Sequence, residues 1–170
     1  DACLVGSEMC IRDSLNTLFA KINNTKHLKL KGLHAHIGSQ IFELDPHKDL
    51  GEIMVKVILD ARKFGHIIEE INVGGGLGIK YTESDDPPSI DEWVKTISKS
   101  VIKACEENNL DLPTLMCEPG RSIVSTAGIT VYKIGSFKEI PGIRTYLSVD
   151  GGMSDNPRPI TYQSNYSACL

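Results

Sequence analysis

The chain has 170 residues, with 18 Lys+Arg against 22 Asp+Glu and a net charge of −4. Hydrophobic residues make up 41% and charged residues 24%, a folded composition rather than a disordered or collagenous one. The acidic balance and scattered basic residues argue against a nucleic-acid surface, and no apolar run approaches the roughly 20 residues of a membrane span. At roughly 150 residues per domain this is one domain, or one plus part of another.

Residues 1–14, DACLVGSEMCIRDS, show neither a helical period nor alternation and are set aside as extraneous or frayed. They lack the charged–apolar–small order of a secretory signal. The cysteines Cys3, Cys10, Cys105, Cys117 and Cys169 form no C-x-x-C pair. Free thiols of a reducing cytoplasm are expected, not a zinc ribbon or disulfide framework.

Leu15, Leu18, Phe19 and Ile22 predict a short helix ended by Asn23-Asn24. Residues Leu28 to His36 read as a strand, followed by a loop with Gly38, Ser39 and Pro46. Leu50, Ile53, Met54, Val57, Ile58 and Ala61 form an apolar stripe, predicting a helix from Asp49 to Phe64 with Gly65 as its stop. Ile67 to Val73 reads as a short buried strand running into Gly74-Gly75-Gly76. Ser89 and Glu92 have the spacing of a capping box. The helix they open carries Ile90, Trp93, Val94, Ile97, Val101 and Ala104 on one side and closes at Asn108-Asn109. Leu115 to Cys117 is a strand ending at Glu118-Pro119-Gly120. This alternation implies parallel strands with helical crossovers. After about Thr126 the texture changes: Ile129 to Phe137 and Ile143 to Val149 read as antiparallel strands joined through Ile140-Pro141-Gly142.

Polar chemistry gathers where strands end. The segments are His34-Ala35-His36-Ile37-Gly38-Ser39-Gln40, Asn72-Val73-Gly74-Gly75-Gly76-Leu77-Gly78, Glu118-Pro119-Gly120-Arg121, and Asp150 to Pro159. The triple glycine suits close backbone approach to a phosphate, or a tight turn needing positive φ. Its spacing is not that of a dinucleotide fingerprint. His34 and His36, two apart on a strand, share a face and could ligate a metal, as in a barrel hydrolase. Alternatively one stacks on a flat ring and the other packs inward. Glu118 could be a general base, a metal ligand or the partner of a protonated ring nitrogen, or simply an ion pair with Arg121. Cys117 alternates away from Glu118, which favours core packing over a nucleophile's role. Arg158, between two prolines, suits carboxylate binding with Tyr162 beside it, or belongs to a solvated loop.

Taken in order, GLHAHIGSQ, NVGGGLG, CEPGRSIV and VDGGMSDNPRP with Tyr162 resemble the pyridoxal-phosphate-dependent decarboxylases of the alanine racemase-like fold. The resemblance runs from about Leu15 to Leu170. It implies that His36 stacks on the cofactor ring and that Glu118 bonds the pyridine nitrogen. Ser39, Gly74, Gly75, Gly76 and the backbone around Glu118, Pro119, Gly120 and Arg121 would hold the phosphate. Arg121, Arg158 and Tyr162 would grip substrate carboxylates. Two arginines favour diaminopimelate, decarboxylated to lysine, over a diamine precursor such as ornithine or arginine. The fold implied is α/β: about the last three strand–helix units of a (β/α)8 barrel over residues 15–126, then the start of an antiparallel β domain over 127–170.

The family's cofactor-bearing lysine sits on an early barrel strand, and no lysine here has that context. Nor do the Cys-Glu loop and late tyrosine that complete the family's site across a homodimer occur. The expectation is a fragment of a cytoplasmic enzyme, inactive alone and prone to aggregate through open strand edges. A non-catalytic homologue that binds a partner is the other reading.

Overall fold

The computed structural model describes residues 14–169, so of the stretch 1–14 read as extraneous, all but Ser14 lies outside the described residues, Cys3 and Cys10 included. Residues 14–23 are helical (α1). Then follow β1 (Gly32–His34), α2 (Asp45–Lys63), β2 (Glu70–Asn72), α3 (Ile90–Glu107) and β3 (Thr114–Met116). A short helix α4 (Gly120–Val124) and a 3-10 turn (Ser125–Ala127) lead to β4 (Ile134–Ile140), β5 (Arg144–Val149) and α5 (Arg158–Thr161).

The first three strands form one parallel sheet in the order β1-β2-β3, with α2 and α3 as crossovers. In register, Leu33, Ile71 and Leu115 form one row, which packs against the core. Phe19, Leu50, Met54, Val55, Ile58 and Ala61 fill that core from one side, and Trp93, Ile97, Val101, Ala104 and Cys105 from α3. Gly51 lets the two crossover helices meet: a Cβ there would lie 2.7 Å from the Ser100 hydroxyl, which donates to the Lys48 carbonyl at 2.6 Å. The capping box at Ser89 forms in full.

Several details differ from the sequence reading. The first two predicted strands shrink to three residues where ladder bonds end, and the third shifts by one residue. Helix α2 begins at Asp45, not Asp49, and takes Pro46 into its first turn, where a missing N–H costs nothing. Within the predicted stripes, Leu18, Ile53, Ile90 and Val94 are exposed, while His47, Val55, Ser100 and Cys105 are buried. A stripe drawn from residue type is wider than the face the sheet covers. Ile67 is exposed as well, ahead of the strand proper.

Strands β4 and β5 pair antiparallel, as read, with Gly142 at a φ of +73° in the turn. The first strand of the pair starts five residues later than predicted, at Ile134 rather than Ile129. No residue beyond Cys105 is buried among the described ones. Among the described residues, no helix is long and apolar enough to cross a membrane.

Candidate active site

The site follows from strand alternation. His34, Asn72 and Met116 form the register row on the face away from the crossover helices. Two residues further along each strand come His36, Gly74 and Glu118, a second row on that face. The structure links this row directly: the Glu118 N–H donates to the Gly74 carbonyl at 2.7 Å, and the Gly75 N–H donates to His36 Nδ1 at 3.2 Å. The imidazole of His36 and the carboxyl of Glu118 therefore flank the triple glycine.

The turn reading of the glycines holds at two positions, and close backbone packing explains the third. Gly74 and Gly76 have φ of +67° and +107°, which side chains disfavour. Gly75 is needed for closeness: a Cβ there would lie 2.3 Å from the Glu118 carbonyl oxygen. The loops after β1 and β2 are bonded together as well. Ile41 N–H donates to the Gly76 carbonyl and Gly78 N–H to the Ile41 carbonyl, each at 2.9 Å. The Gln40 amide spans the same gap, donating to and accepting from the Ile79 backbone.

Glu118 does not pair with Arg121. Its Oε1 accepts from the Asn72 amide at 2.8 Å, and its Oε2 lies 3.6 Å from His34 Nε2, with both side chains about half exposed. Arg121 turns the other way. Its Nε and Nη2 donate to the Ser39 hydroxyl at 3.0 and 2.9 Å, and its Nη1 donates to the Tyr81 hydroxyl. The guanidinium also lies 5.6 Å from the Tyr81 ring centre. Among the described residues, no carboxylate is within ion-pair distance of Arg121, so a half-buried cation is held by two neutral hydroxyls. Gly120, which donates to the Glu118 carbonyl at 2.8 Å, has open space on its side-chain side, and Pro119 accepts from the Ser122 hydroxyl.

The structure thus brings together His36, Gly74, Gly75, Gly76 and Glu118, and places Ser39 against Arg121. It does not bring Arg158 or Tyr162 to them. The Arg158 guanidinium lies 5.3 Å from the Tyr162 ring centre, and among the described residues neither bonds to the Glu118 row. Tyr166, four residues on, does reach back: its ring is 5.8 Å from that of Tyr81. The expectation that Cys117 packs in the core is overturned. It is exposed, because alternation sends it to the helix side but β3 is an edge strand and leaves it uncovered. Cys105, Cys117 and Cys169 are free thiols. No three His, Cys, Asp or Glu side chains among the described residues are grouped to hold a metal ion.

Sequence reasoning missed Asn72, Tyr81 and His47. His47 is fully buried, edge-on to Trp93 with ring centres 5.6 Å apart, and neither ring nitrogen has a hydrogen-bond partner. Burial, then the nearby His36, pushes its pKa below the usual histidine value.

Comparison with known proteins identifies the family. The sequence model of the pyridoxal-binding domain of pyridoxal-dependent decarboxylases matches residues 10–125. The diaminopimelate decarboxylase of Synechocystis is 56% identical over 158 residues, covering 93% of this chain and 34% of that protein. The Bacillus subtilis diaminopimelate decarboxylase is 42% identical over 149 residues, covering 87% and 34%. The chain therefore spans about a third of the length of these relatives. Among solved structures, diaminopimelate decarboxylase from Helicobacter pylori complexed with L-lysine superposes with a TM-score of 0.75 at 26% identity, covering 92% of this chain and 36% of that one. The enzyme from M. jannaschii in complex with L-lysine gives 0.70 at 32% identity, covering 81% and 31%. By a domain match over most of its length and by these relatives, the chain belongs to the pyridoxal-dependent decarboxylases.

Proposed function

We propose that this chain carries the ring- and phosphate-binding part of a diaminopimelate decarboxylase, which converts meso-2,6-diaminopimelate to L-lysine and carbon dioxide. The observation that carries the reading is the row His36–Gly74–Glu118, an imidazole and a carboxylate on either side of a side-chain-free loop.

The residues present fit pyridoxal 5'-phosphate. Arg121, a cation without an acidic partner among the described residues, and the Ser39 hydroxyl beside it suit a phosphate. The backbone of Gly74, Gly75 and Gly76 and of Pro119 and Gly120 would complete that end. Glu118 Oε2, half exposed, suits the protonated ring nitrogen, and His36 suits the ring face. When bound, the cofactor supplies an electron sink for the electron pair left as carbon dioxide departs. The protein's part is to hold that ring flat, keep its nitrogen protonated through Glu118 and fix its phosphate. Arg158 on α5 and Tyr162 just after it would meet substrate carboxylates, which favours a dicarboxylic amino acid over ornithine or arginine.

In this reading residues 15–126 form about three strand–helix units of a (β/α)8 barrel, with the Glu118 row facing its interior, and residues 127–170 open an antiparallel β domain. The enzyme would be a cytoplasmic homodimer with sites at its interface. The free thiols are in keeping with a reducing compartment.

A chimera tests this: residues 15–169 replace the matching segment of the Synechocystis enzyme. It is expected to bind pyridoxal 5'-phosphate and release carbon dioxide from meso-2,6-diaminopimelate at least tenfold faster than from ornithine or arginine. Preference for ornithine or arginine would overturn the substrate. Loss of cofactor binding in a folded chimera would overturn the site.

A further inference from the structure

We propose that Asn72 is a positioning residue that sets the orientation of the Glu118 carboxylate and couples it to the glycine loop. The inference rests on the reading of Glu118 given above and goes beyond it. Asn72 is the last residue of β2 and stands one row before Gly74 on the same face of the sheet. Its amide is spent at both ends. The nitrogen donates to Glu118 Oε1 at 2.8 Å, and the oxygen accepts from the Gly74 N–H at 2.8 Å.

The chemistry requires an amide there. A carboxylate would take the Gly74 bond but offer no donor to Glu118 and would face it with like charge. A hydrocarbon would leave both partners unmet. With Oε1 committed to Asn72, the carboxylate has its rotation fixed, and Oε2 remains on the side of His34. An exposed carboxylate otherwise samples several rotamers. Because the same amide holds the Gly74 N–H, a shift of the glycine loop moves the oxygen pair of Glu118 with it. The loop that would bind phosphate and the acid that would bind the ring nitrogen thus share one side chain.

The test has two independent readouts. In the cofactor-free 170-residue chain labelled with 13C, the Glu118 side-chain 13C shifts and couplings report its rotamer at neutral pH. Asn72→Ala removes the donor, so these couplings average over several rotamers. Asn72→Asp removes the donor and adds like charge, and the couplings average likewise. In the chimera, Asn72→Ala lowers kcat about tenfold with KM nearly unchanged. Asn72→Asp loses less at the acid end of the profile, where a shared proton restores the bond to Glu118. Unchanged Glu118 couplings in both variants, with circular dichroism showing the parent fold, overturn the proposal. If instead Glu118→Gln leaves the bound cofactor's absorption and pH profile untouched, the role of Glu118 at the ring nitrogen fails. The 13C shifts then still report on Asn72. Should Asn72→Ala not fold, the near-isosteric Asn72→Asp decides alone.

Discussion

The three-stranded parallel sheet and the β4–β5 hairpin are both rich in isoleucine, valine and leucine, yet they differ in what those residues do. In the sheet, Ile71 and Val73 are fully buried between helices that come from either side of β2 in sequence. In the hairpin, Phe137, Ile143, Tyr146, Leu147 and Val149 are all exposed. The hairpin is held instead by its own ladder and by the Ser136 and Ser148 side chains, which bond across it. A lone hairpin is marginal in water, because two strands cannot cover each other's faces. The difference is one of partners, not of composition: a crossover helix returns to cover its own strands, whereas a hairpin needs a second layer from elsewhere.

Removing a large side chain on each side of that divide gives the widest contrast. Trp93 is 1% exposed and packs between His47 and the core, so Trp93→Ala is expected to cost about 3–5 kcal/mol in urea denaturation. A loss under about 1 kcal/mol would mean that the helix layer is as loose as the hairpin.

A smaller effect is expected at the boundary between core and site. Gly75→Ala would drive a methyl group into the Glu118 carbonyl, and one of the two backbones must shift. The expected cost is about 1–3 kcal/mol, with loss of pyridoxal 5'-phosphate binding in the chimera, measured by cofactor absorbance. Wild-type binding by this variant would show that the close approach has no bearing on the cofactor.

Acid should also act on the sheet half first. His47 holds a proton less readily in the fold than in the unfolded chain, which takes one up near pH 6.5. The unfolded state therefore binds more protons, and stability falls as pH drops below about 6.5. Glu69 follows in a lower window. Hydrogen bonds from Lys29 and then Lys31 hold its carboxyl at about 2, against an ordinary 4.5. Its contribution is present above 4.5 and fades as pH falls toward 2, and salt weakens it because the cluster is exposed. Melting temperatures across this range check both, and His47→Phe should flatten the upper window.

The smallest effect belongs to the hairpin. Phe137 is 72% exposed, and Phe137→Ala should change stability by no more than about 0.5 kcal/mol. Amide exchange in β4 and β5 should be faster than in α2 and α3 by orders of magnitude. A large loss at Phe137 in the isolated chain would require a partner surface for the hairpin.

Much of the site could be read without coordinates because it lies at strand ends. Alternation puts His34 and His36 on one face and Cys117 opposite Glu118, and both directions are realised. The same argument reaches Asn72, two residues before Gly74, although residue type makes the glycines more conspicuous than its amide. Tyr81 carried no comparable signal: it lies in a loop, and only the fold of that loop onto Arg121 gives it a role. The ion pair of Arg121 with Glu118 that residue type suggests does not form, and the contact with Ser39 carried no sequence signal.

Order along the chain, strand direction and the side of the sheet on which each polar residue falls were determined by the sequence, because periodicity is a local property of backbone geometry. Which of those residues meet was decided by tertiary structure. Register brings His36, Gly74 and Glu118 into one row from segments up to 82 residues apart, and an edge position leaves Cys117 in water. Contact depends on which neighbour arrives, and no window of sequence contains its neighbour.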